Sequence, residues 1–246
     1  MTVPADPSTP SEPLAAAATS VTSDARVALD RSTRRLIRTV DGLEDASYAE
    51  ASLLPGWTRA HVVAHLALNA EGLAAALRGV ADGVPVAMYA GDAARDDDID
   101  KLAASRPTTL RSRLYGATTD LADALASVPG DLHETVIERT PGSTRTFVVG
   151  EVTSMRRREV EIHHADLGVG YRPSDWPADF AVLLVDRLAP RAPATLVATD
   201  VDRTWQADPG APTVTGTAAD LGWWLTGRDP GDRLTSDGAM PRIEAW

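Results

Sequence analysis

The chain has 246 residues, no cysteine and a formal net charge of −11, and its hydrophobic fraction of 43% is enough for a sizeable core in one large domain or two modest ones. The negative charge argues against nucleic acid or an anionic membrane as the main partner, because both require a cationic surface. The missing cysteines exclude a disulfide framework, a cysteine nucleophile and a thiolate-ligated metal.

The first 20 residues, MTVPADPSTPSEPLAAAATS, are predicted to form a disordered tail. No basic residue precedes their short alanine run, so the segment does not resemble a secretory signal. No apolar run along the chain approaches the ~20 residues that span a bilayer. We therefore expect a cytoplasmic protein without a membrane partner.

Four amphipathic helices are predicted between residues 21 and 172, because apolar residues recur there at helical spacings. They cover residues 23–43, about 58–78, 108–128 and about 149–167. Thr58 is the predicted N-cap of the second helix. Residues 79–98 are predicted to be loop-like, with the acidic run 96–98 as a solvated loop or a helix start. Four helices of this length are typical of a four-helix bundle.

Residues 173–246 are predicted to form a small α+β domain, and the boundary is placed near residues 171–175, where prolines begin to punctuate the chain. A helix over residues 180–188 is followed by the strand candidates TLVATD and TVTGT and by a short helix in AADLGWWLTGR. The predicted fold class is therefore mainly α with a small α+β domain.

The fourth helix places Glu159 and His163 four residues apart on the side expected to face the bundle. Side chains at this spacing are rotated by about 40° and offset by ~6 Å, so they can converge on one atom. The same predicted inner stripe holds Val152, Met155, Ile162 and Asp166. A carboxylate and an imidazole among apolar neighbours are costly to bury unless they are paired or bind a cation.

The second helix has a matching feature, because His61 and His65 are also four residues apart. His65 shares the predicted inner face with Val62, Leu66, Asn69 and Leu73. One carboxylate and two imidazoles from two helices are typical of a catalytic zinc site that keeps its fourth position open.

Other interpretations of these residues stay open from spacing alone. Glu159 and His163 are also compatible with a surface contact, and His65 with a hydrogen-bonded core histidine. His61 and His65 could instead be the metal pair, with Glu159 behind them. We expect Glu161 and His164 to be exposed, and the arginines 156–158 to lie on a solvated helix face.

Two longer stretches carry a resemblance to a known family. LLPGWTRAHVVAHLALNAEGL and RRREVEIHHADLGVGY resemble the DinB-like metalloenzyme superfamily, and most closely its mycothiol-dependent maleylpyruvate isomerase family. TGTAADLGWWLTGR resembles the C-terminal module of that family, which is distantly similar to sterol-carrier-protein domains. The resemblance implies an N-terminal DinB-like four-helix bundle followed by a sterol-carrier-like α+β domain.

The resemblance also implies a set of functional residues. The metal ligands of the family fall on His65, Glu159 and His163, with Zn²⁺ as the metal, and its functional arginine falls on Arg228. Arg228 is expected to orient a substrate carboxylate, although the residue alone also fits a helix C-terminus, where its charge is favourable. Trp223 and Trp224 are expected to serve packing.

The activity implied by the resemblance is the conversion of maleylpyruvate to fumarylpyruvate in gentisate-type aromatic degradation. Mycothiol supplies a thiolate that adds to the double bond, lets it rotate and then leaves, so the cofactors are Zn²⁺ and mycothiol and the partner is a small dicarboxylate. A protein without cysteine cannot supply this thiolate itself. Two alternatives are a mycothiol S-transferase acting on other electrophiles and a metal- or ligand-binding stress protein.

Overall fold

The structure is a computed structural model that describes residues 12–244, with side chains from residue 23 onward. It divides into two compact units, the first ending at Val160 and the second beginning at Glu161. This division falls inside a helix, earlier than the predicted boundary near residue 172. Residues 1–11 of the predicted tail lie outside the described part, and residues 12–20 belong to the backbone of the first helix.

The first unit is helical, and its fourth predicted helix continues into the second unit. The α-helices are α1 (Glu12–Gly42), α2 (Arg59–Ala81), α3 (Asp92–Ala103), α4 (Pro107–Ser127) and α5 (Val152–Asp166). Helices α1, α2, α4 and α5 confirm the four predicted helices. The loop predicted over residues 79–98 is wrong from Asp92 onward, because α3 begins there. The sequence of α3 has no clear apolar stripe that would have predicted it, since only two of its residues, Ile99 and Leu102, are buried.

Helix α2 is the central element of this unit and packs against α3 and α4. Its predicted inner residues Val62, Leu66, Asn69 and Leu73 are all buried. Among the described residues it is the one helix long and apolar enough to cross a membrane by length and composition. However, 72% of its most apolar 18-residue stretch is buried inside the protein, as expected for the core helix of a bundle.

The loop before α3 lies between α2 and a short hairpin. The hairpin pairs β1 (Val136–Glu138) with β2 (Thr146–Val148) in antiparallel register. The loop is fixed to the hairpin by the backbone N–H of Met88, which donates to the Glu138 carbonyl at 3.0 Å, and by that of Tyr89, which donates to Arg139 at 2.9 Å. Its other side approaches α2 where that helix carries glycine.

The glycines of α2 are required by this close approach. A Cβ at Gly72 would lie 2.6 Å from the Met88 carbonyl oxygen, and one at Gly79 would lie 2.7 Å from the Val84 carbonyl oxygen. Both neighbours are backbone atoms, so the whole loop would have to move.

Gly72→Ala is therefore expected to destabilise the protein by about 1–3 kcal/mol, even though alanine is the better helix former by ~1 kcal/mol. Gly116→Ala in α4 is the matched control, because a Cβ there would meet nothing within 4 Å. It is expected to be neutral or stabilising. Thermal unfolding of the two variants measures the difference, and equal midpoints would contradict the predicted clash.

The second unit confirms the predicted α+β character. Its elements after α5 are α6 (Ala178–Leu188), β3 (Thr195–Ala198), β4 (Arg203–Trp205), β5 (Thr213–Gly216), α7 (Ala218–Leu225) and β6 (Thr235–Ser236). The sheet order is β4-β3-β5-β6, with β3 and β5 parallel and the outer pairs antiparallel. Helices α6 and α7, β3 and β5 confirm predicted elements, whereas β4 and β6 were not predicted.

The core of this unit is built from one buried cluster. Trp176, Phe180 and Trp223 meet in it at edge-to-face angles, and Trp224 belongs to the same cluster. The expectation that Trp223 and Trp224 serve packing is therefore confirmed, since each is only 4% exposed. The mainly α fold with a smaller α+β part is confirmed, and the likeness to sterol-carrier-protein domains stays a prediction.

Candidate metal centre

The structure brings three of the predicted site residues together. Ligand atoms of His65 on α2 and of Glu159 and His163 on α5 all lie within 4.8 Å of one another. The Nε2–H of His65 donates to Glu159 Oε2 at 2.8 Å. His65 and His163 are 4% and 8% exposed, and Glu159 is partly buried. Their role as metal ligands stays a prediction.

A buried arginine ties α5 to α2 one turn before Glu159. Arg156 is 1% exposed, and its Nη1 donates to the Leu66 carbonyl at 2.9 Å and to Asn69 Oδ1 at 2.7 Å. Burial lowers the pKa of Arg156 to about 10, although the charge of Glu159 opposes this. Arg156 therefore stays protonated at neutral pH as a fixed positive charge on this side of Glu159.

The predicted solvated face at residues 156–158 is wrong for Arg156 and Arg157, which are both buried. The sequence shows three adjacent cations, which normally prefer water. It does not show that α2 offers two acceptors to one of these arginines, namely the Leu66 backbone carbonyl and the side-chain oxygen of Asn69. Asn69 thus has the polar core role that its position on the predicted inner face allowed.

His61 has a different role from His65. Its Nδ1 accepts the backbone N–H of Thr58 at 3.3 Å, and the Thr58 side chain accepts the backbone N–H of His61, so the two residues form a capping box at the start of α2. The same Nδ1 also lies 2.7 Å from the Thr58 hydroxyl. Its Nε2 lies 3.5 Å from Asp100. The N-cap predicted at Thr58 is confirmed. His61 is not a member of the close group of possible metal ligands.

Arg228 lies in the second unit beside the end of α5. Its Nη2 and Nε donate to Asp166 Oδ2 and Oδ1 at 2.7 and 3.2 Å, and its Nη1 donates to the Thr226 carbonyl at 2.9 Å. Asp166 also accepts a hydrogen bond from His163 Nδ1 at 2.8 Å. Burial alone would raise the pKa of Asp166, but the hydrogen bonds from His163 and Arg228 outweigh it and hold that pKa below its usual range.

Asp166 lies beside the candidate ligand His163. The sequence placed it on the predicted inner face of the fourth helix but indicated no function for it. Its spacing of three from His163 was the available signal, because residues at this spacing are neighbours on a helix. Its pairing with Arg228 could not be foreseen, since 62 residues separate the two.

Two further side chains near His65 were missed entirely. Arg95 Nη2 donates to His65 Nδ1 at 3.3 Å, and its guanidinium carbon lies 5.8 Å from the Tyr89 ring centre. Burial raises the pKa of Tyr89, the charge of Glu159 adds to the rise, and Arg95 and Asn69 oppose it. Both residues come from the loop and first turn of α3, where no motif marks them. Arg95 therefore places a cation beside His65, and Tyr89 places a neutral phenol beside Arg95.

The expectation that Glu161 and His164 are exposed is wrong, because they are 0% and 1% exposed. The chain turns back after α5 at Gly168, whose φ of 66° favours glycine. The Tyr171 hydroxyl then donates to Glu161, and the Tyr171 ring stacks on His164 at 3.8 Å. The end of α5 is covered on more than one side, so residues outside the predicted inner stripe are buried there as well.

The donor set at this centre fits zinc. A carboxylate and two neutral imidazoles from facing helices are the ligands of many catalytic zinc sites, and a metal-bound histidine usually donates its other nitrogen to a carboxylate, as His163 does. With Zn²⁺ in place, this set would carry one net positive charge, which a thiolate could neutralise.

The chain is similar to known proteins over most of its length. A family model described as the mycothiol maleylpyruvate isomerase N-terminal domain matches residues 29–168. The crystal structure of the mycothiol-dependent maleylpyruvate isomerase is similar with a TM-score of 0.81 and 26% identity, over 92% of this chain and 97% of the other. A histidine-to-alanine mutant of that isomerase is similar with a TM-score of 0.80. No curated protein matches the sequence significantly.

Proposed function

This chain belongs to the mycothiol maleylpyruvate isomerase family, and we propose from that premise that it is a zinc- and mycothiol-dependent enzyme that converts maleylpyruvate to fumarylpyruvate. The match to solved isomerases over 92% of the chain supports an isomerase. The observation that carries the proposal is the group of one carboxylate and two imidazoles within 4.8 Å. We propose reversible addition of a thiolate to the double bond as the chemistry, since a chain without cysteine must borrow its nucleophile.

His65, Glu159 and His163 are proposed to hold the metal. When bound there, zinc would lower the pKa of a thiol from about 8.5 toward neutrality, or polarise a substrate oxygen. Glu159 provides the single negative charge of the set, and His65 and His163 provide neutral nitrogen ligands. His65 and His163 are nearly inaccessible to solvent, so the interaction between Glu159 and a bound cation would be stronger there than in water.

The substrate of this proposal is a dianion, and a protein with a net charge of −11 repels it at long range. Local cations must therefore bind it. Arg228 uses three of its N–H groups on Asp166 and Thr226, which leaves one N–H on each terminal nitrogen for a substrate carboxylate. We propose that Arg228 orients this carboxylate and stabilises the enolate charge that forms as the thiolate adds.

The assay that tests the proposal follows maleylpyruvate by its absorbance in the presence of zinc-loaded protein and mycothiol. We expect isomerisation only when both are present, and a fall to the uncatalysed rate after chelation or without thiol. S-methylated mycothiol is the matched control, because it keeps the shape of the cofactor but cannot form a thiolate.

Other outcomes separate the alternatives. Isomerisation at the full rate without any thiol would contradict the proposal. Consumption of mycothiol by other electrophiles without isomerisation would indicate an S-transferase. Zinc binding with neither activity would indicate a metal- or ligand-binding protein.

A further inference from the structure

One buried carboxylate holds two candidate functional residues at the same time. Asp166 is 0% exposed, and its carboxylate accepts hydrogen bonds from both His163 and Arg228. We refer to these three residues as the Asp166 cluster. All three belong to the second unit, and His163 is also one of the candidate metal ligands. Burial of a carboxylate is costly, so these donors are what allow an ionised Asp166 inside the protein.

The first bond of the cluster determines which nitrogen of His163 can bind a metal. An ionised carboxylate only accepts hydrogen bonds, so the 2.8 Å contact places a proton on His163 Nδ1. A neutral imidazole has one proton, so Nε2 then carries the lone pair. Asp166 lies three residues after His163 on the same helix, which also restrains the direction of the ring.

The second pair of bonds fixes Arg228. The Nε–Nη2 edge of its guanidinium lies against both oxygens of Asp166, while Nη1 donates to Thr226, two residues earlier. The turn between them passes through Gly227, whose φ of 81° a residue with a side chain rarely adopts. The guanidinium carbon also lies 5.5 Å from the Trp223 ring centre. Arg228 therefore has one orientation, and its remaining N–H groups have a defined direction.

We propose that Asp166 is a positioning residue that sets the tautomer and ring direction of His163 and the direction of Arg228 with one carboxylate. The metal-ligand and the anion-binding residue are thereby coupled, so the loss of Asp166 disturbs both. The role assigned to Arg228 rests on the proposed function, whereas the effect on His163 concerns metal affinity and needs no substrate.

A purely structural ion pair is the competing explanation, because buried Asp–Arg pairs occur without any catalytic role. The same unit contains a less buried Asp–Arg pair for comparison. Asp220 is 9% exposed, its carboxylate accepts the hydroxyl of Thr217, the N-cap of α7, and it pairs at 2.8 Å with Arg233, whose side chain is 46% exposed. Replacing Asp220 should cost stability in the way that any such pair does, without reaching His163.

The test is Asp166→Asn in the full chain, compared with Asp220→Asn. Asparagine keeps the shape of aspartate and one acceptor oxygen, but its NH2 group replaces the other oxygen and it lacks the charge. We expect the zinc dissociation constant, measured by competition with a chromophoric chelator, to rise about 10–100-fold in Asp166→Asn and to stay unchanged in Asp220→Asn. We also expect kcat/KM of Asp166→Asn to stay below that of the unmodified protein even when the variant is saturated with zinc. The remaining loss reflects Arg228, which is no longer held by a carboxylate.

A measurement on the unmodified protein keeps the proposal testable even if Asp166→Asn does not fold. Nitrogen-15 NMR of the histidine rings in the zinc-loaded chain should show His163 protonated at Nδ1. A proton on Nε2 of His163, or equal zinc affinities of the two asparagine variants, would overturn the proposal. A wild-type chain that binds zinc through His163 but does not isomerise maleylpyruvate would refute the proposed function and leave the metal half of this inference standing. A chain that binds no zinc would refute both.

Discussion

Replacing His65 or His163 by alanine is expected to abolish isomerase activity while the helices stay folded. Each variant removes one of the three proposed ligands, and a bound metal that supplies several kcal/mol of charge stabilisation would account for about 1,000-fold or more in rate. Bound zinc should fall well below one equivalent in both variants. Metal analysis of the purified proteins and the isomerisation assay measure the two effects, and circular dichroism checks that helix content is kept.

His61→Ala is the matched control for this prediction. His61 lies four residues before His65 on the same helix, but it serves the capping box with Thr58 rather than the metal group. Its loss should lower the free energy of unfolding by ~1 kcal/mol and leave the zinc content unchanged. The ligand assignment would be wrong if His65→Ala and His163→Ala both kept stoichiometric zinc, or if His61→Ala lost it.

Arg156→Ala is expected to reduce the free energy of unfolding by about 2–4 kcal/mol, which corresponds to a fall of about 5–15 °C in the unfolding midpoint. The variant opens a cavity inside the bundle and removes the donor that Leu66 and Asn69 share. Removing a buried charge relieves part of its desolvation cost, as the lowered pKa of Arg156 shows. The lost packing and hydrogen bonds outweigh this relief because the side chain is large and fully enclosed.

Two control variants separate the contributions of side-chain volume, charge and burial to this prediction. Arg156→Met keeps most of the volume without the charge, so it should lose clearly less stability than Arg156→Ala. Arg34→Ala removes an arginine whose side chain is 70% exposed and paired with Asp30 on the surface, and it should change stability by less than about 0.5 kcal/mol. Equal losses for Arg156→Ala and Arg34→Ala in denaturant unfolding would contradict the buried role of Arg156.

Much of the helical part of the fold could be predicted because local patterns decide it. The apolar spacing of α2 and the capping signal at Thr58 identify where that helix begins. The same spacing places Glu159 and His163 on one face of α5, and His65 on the inner face of α2. Residue chemistry then makes a metal centre one of several interpretations, because buried carboxylates and imidazoles need a partner, and the family resemblance selects these three residues as ligands.

What could not be predicted depends on how separate segments meet. The burial of Arg156 requires an acceptor on α2, 87 residues away. The burial of Glu161 and His164 follows from a chain reversal that brings Tyr171 over α5. Helix α3 was missed because a mostly polar sequence can still form a helix when two apolar residues, Ile99 and Leu102, find a core.

The loop that carries Tyr89 has its path set by main-chain atoms. On one side its carbonyl groups lie against α2 at Gly72 and Gly79, and on the other its N–H groups donate to Glu138 at the end of β1 and to Arg139, which follows it. Neither set of contacts depends on which side chains the loop displays. A substitution at Tyr89 should therefore change the environment of Arg95 without moving the backbone of the loop, since that backbone is held by its own N–H and carbonyl groups.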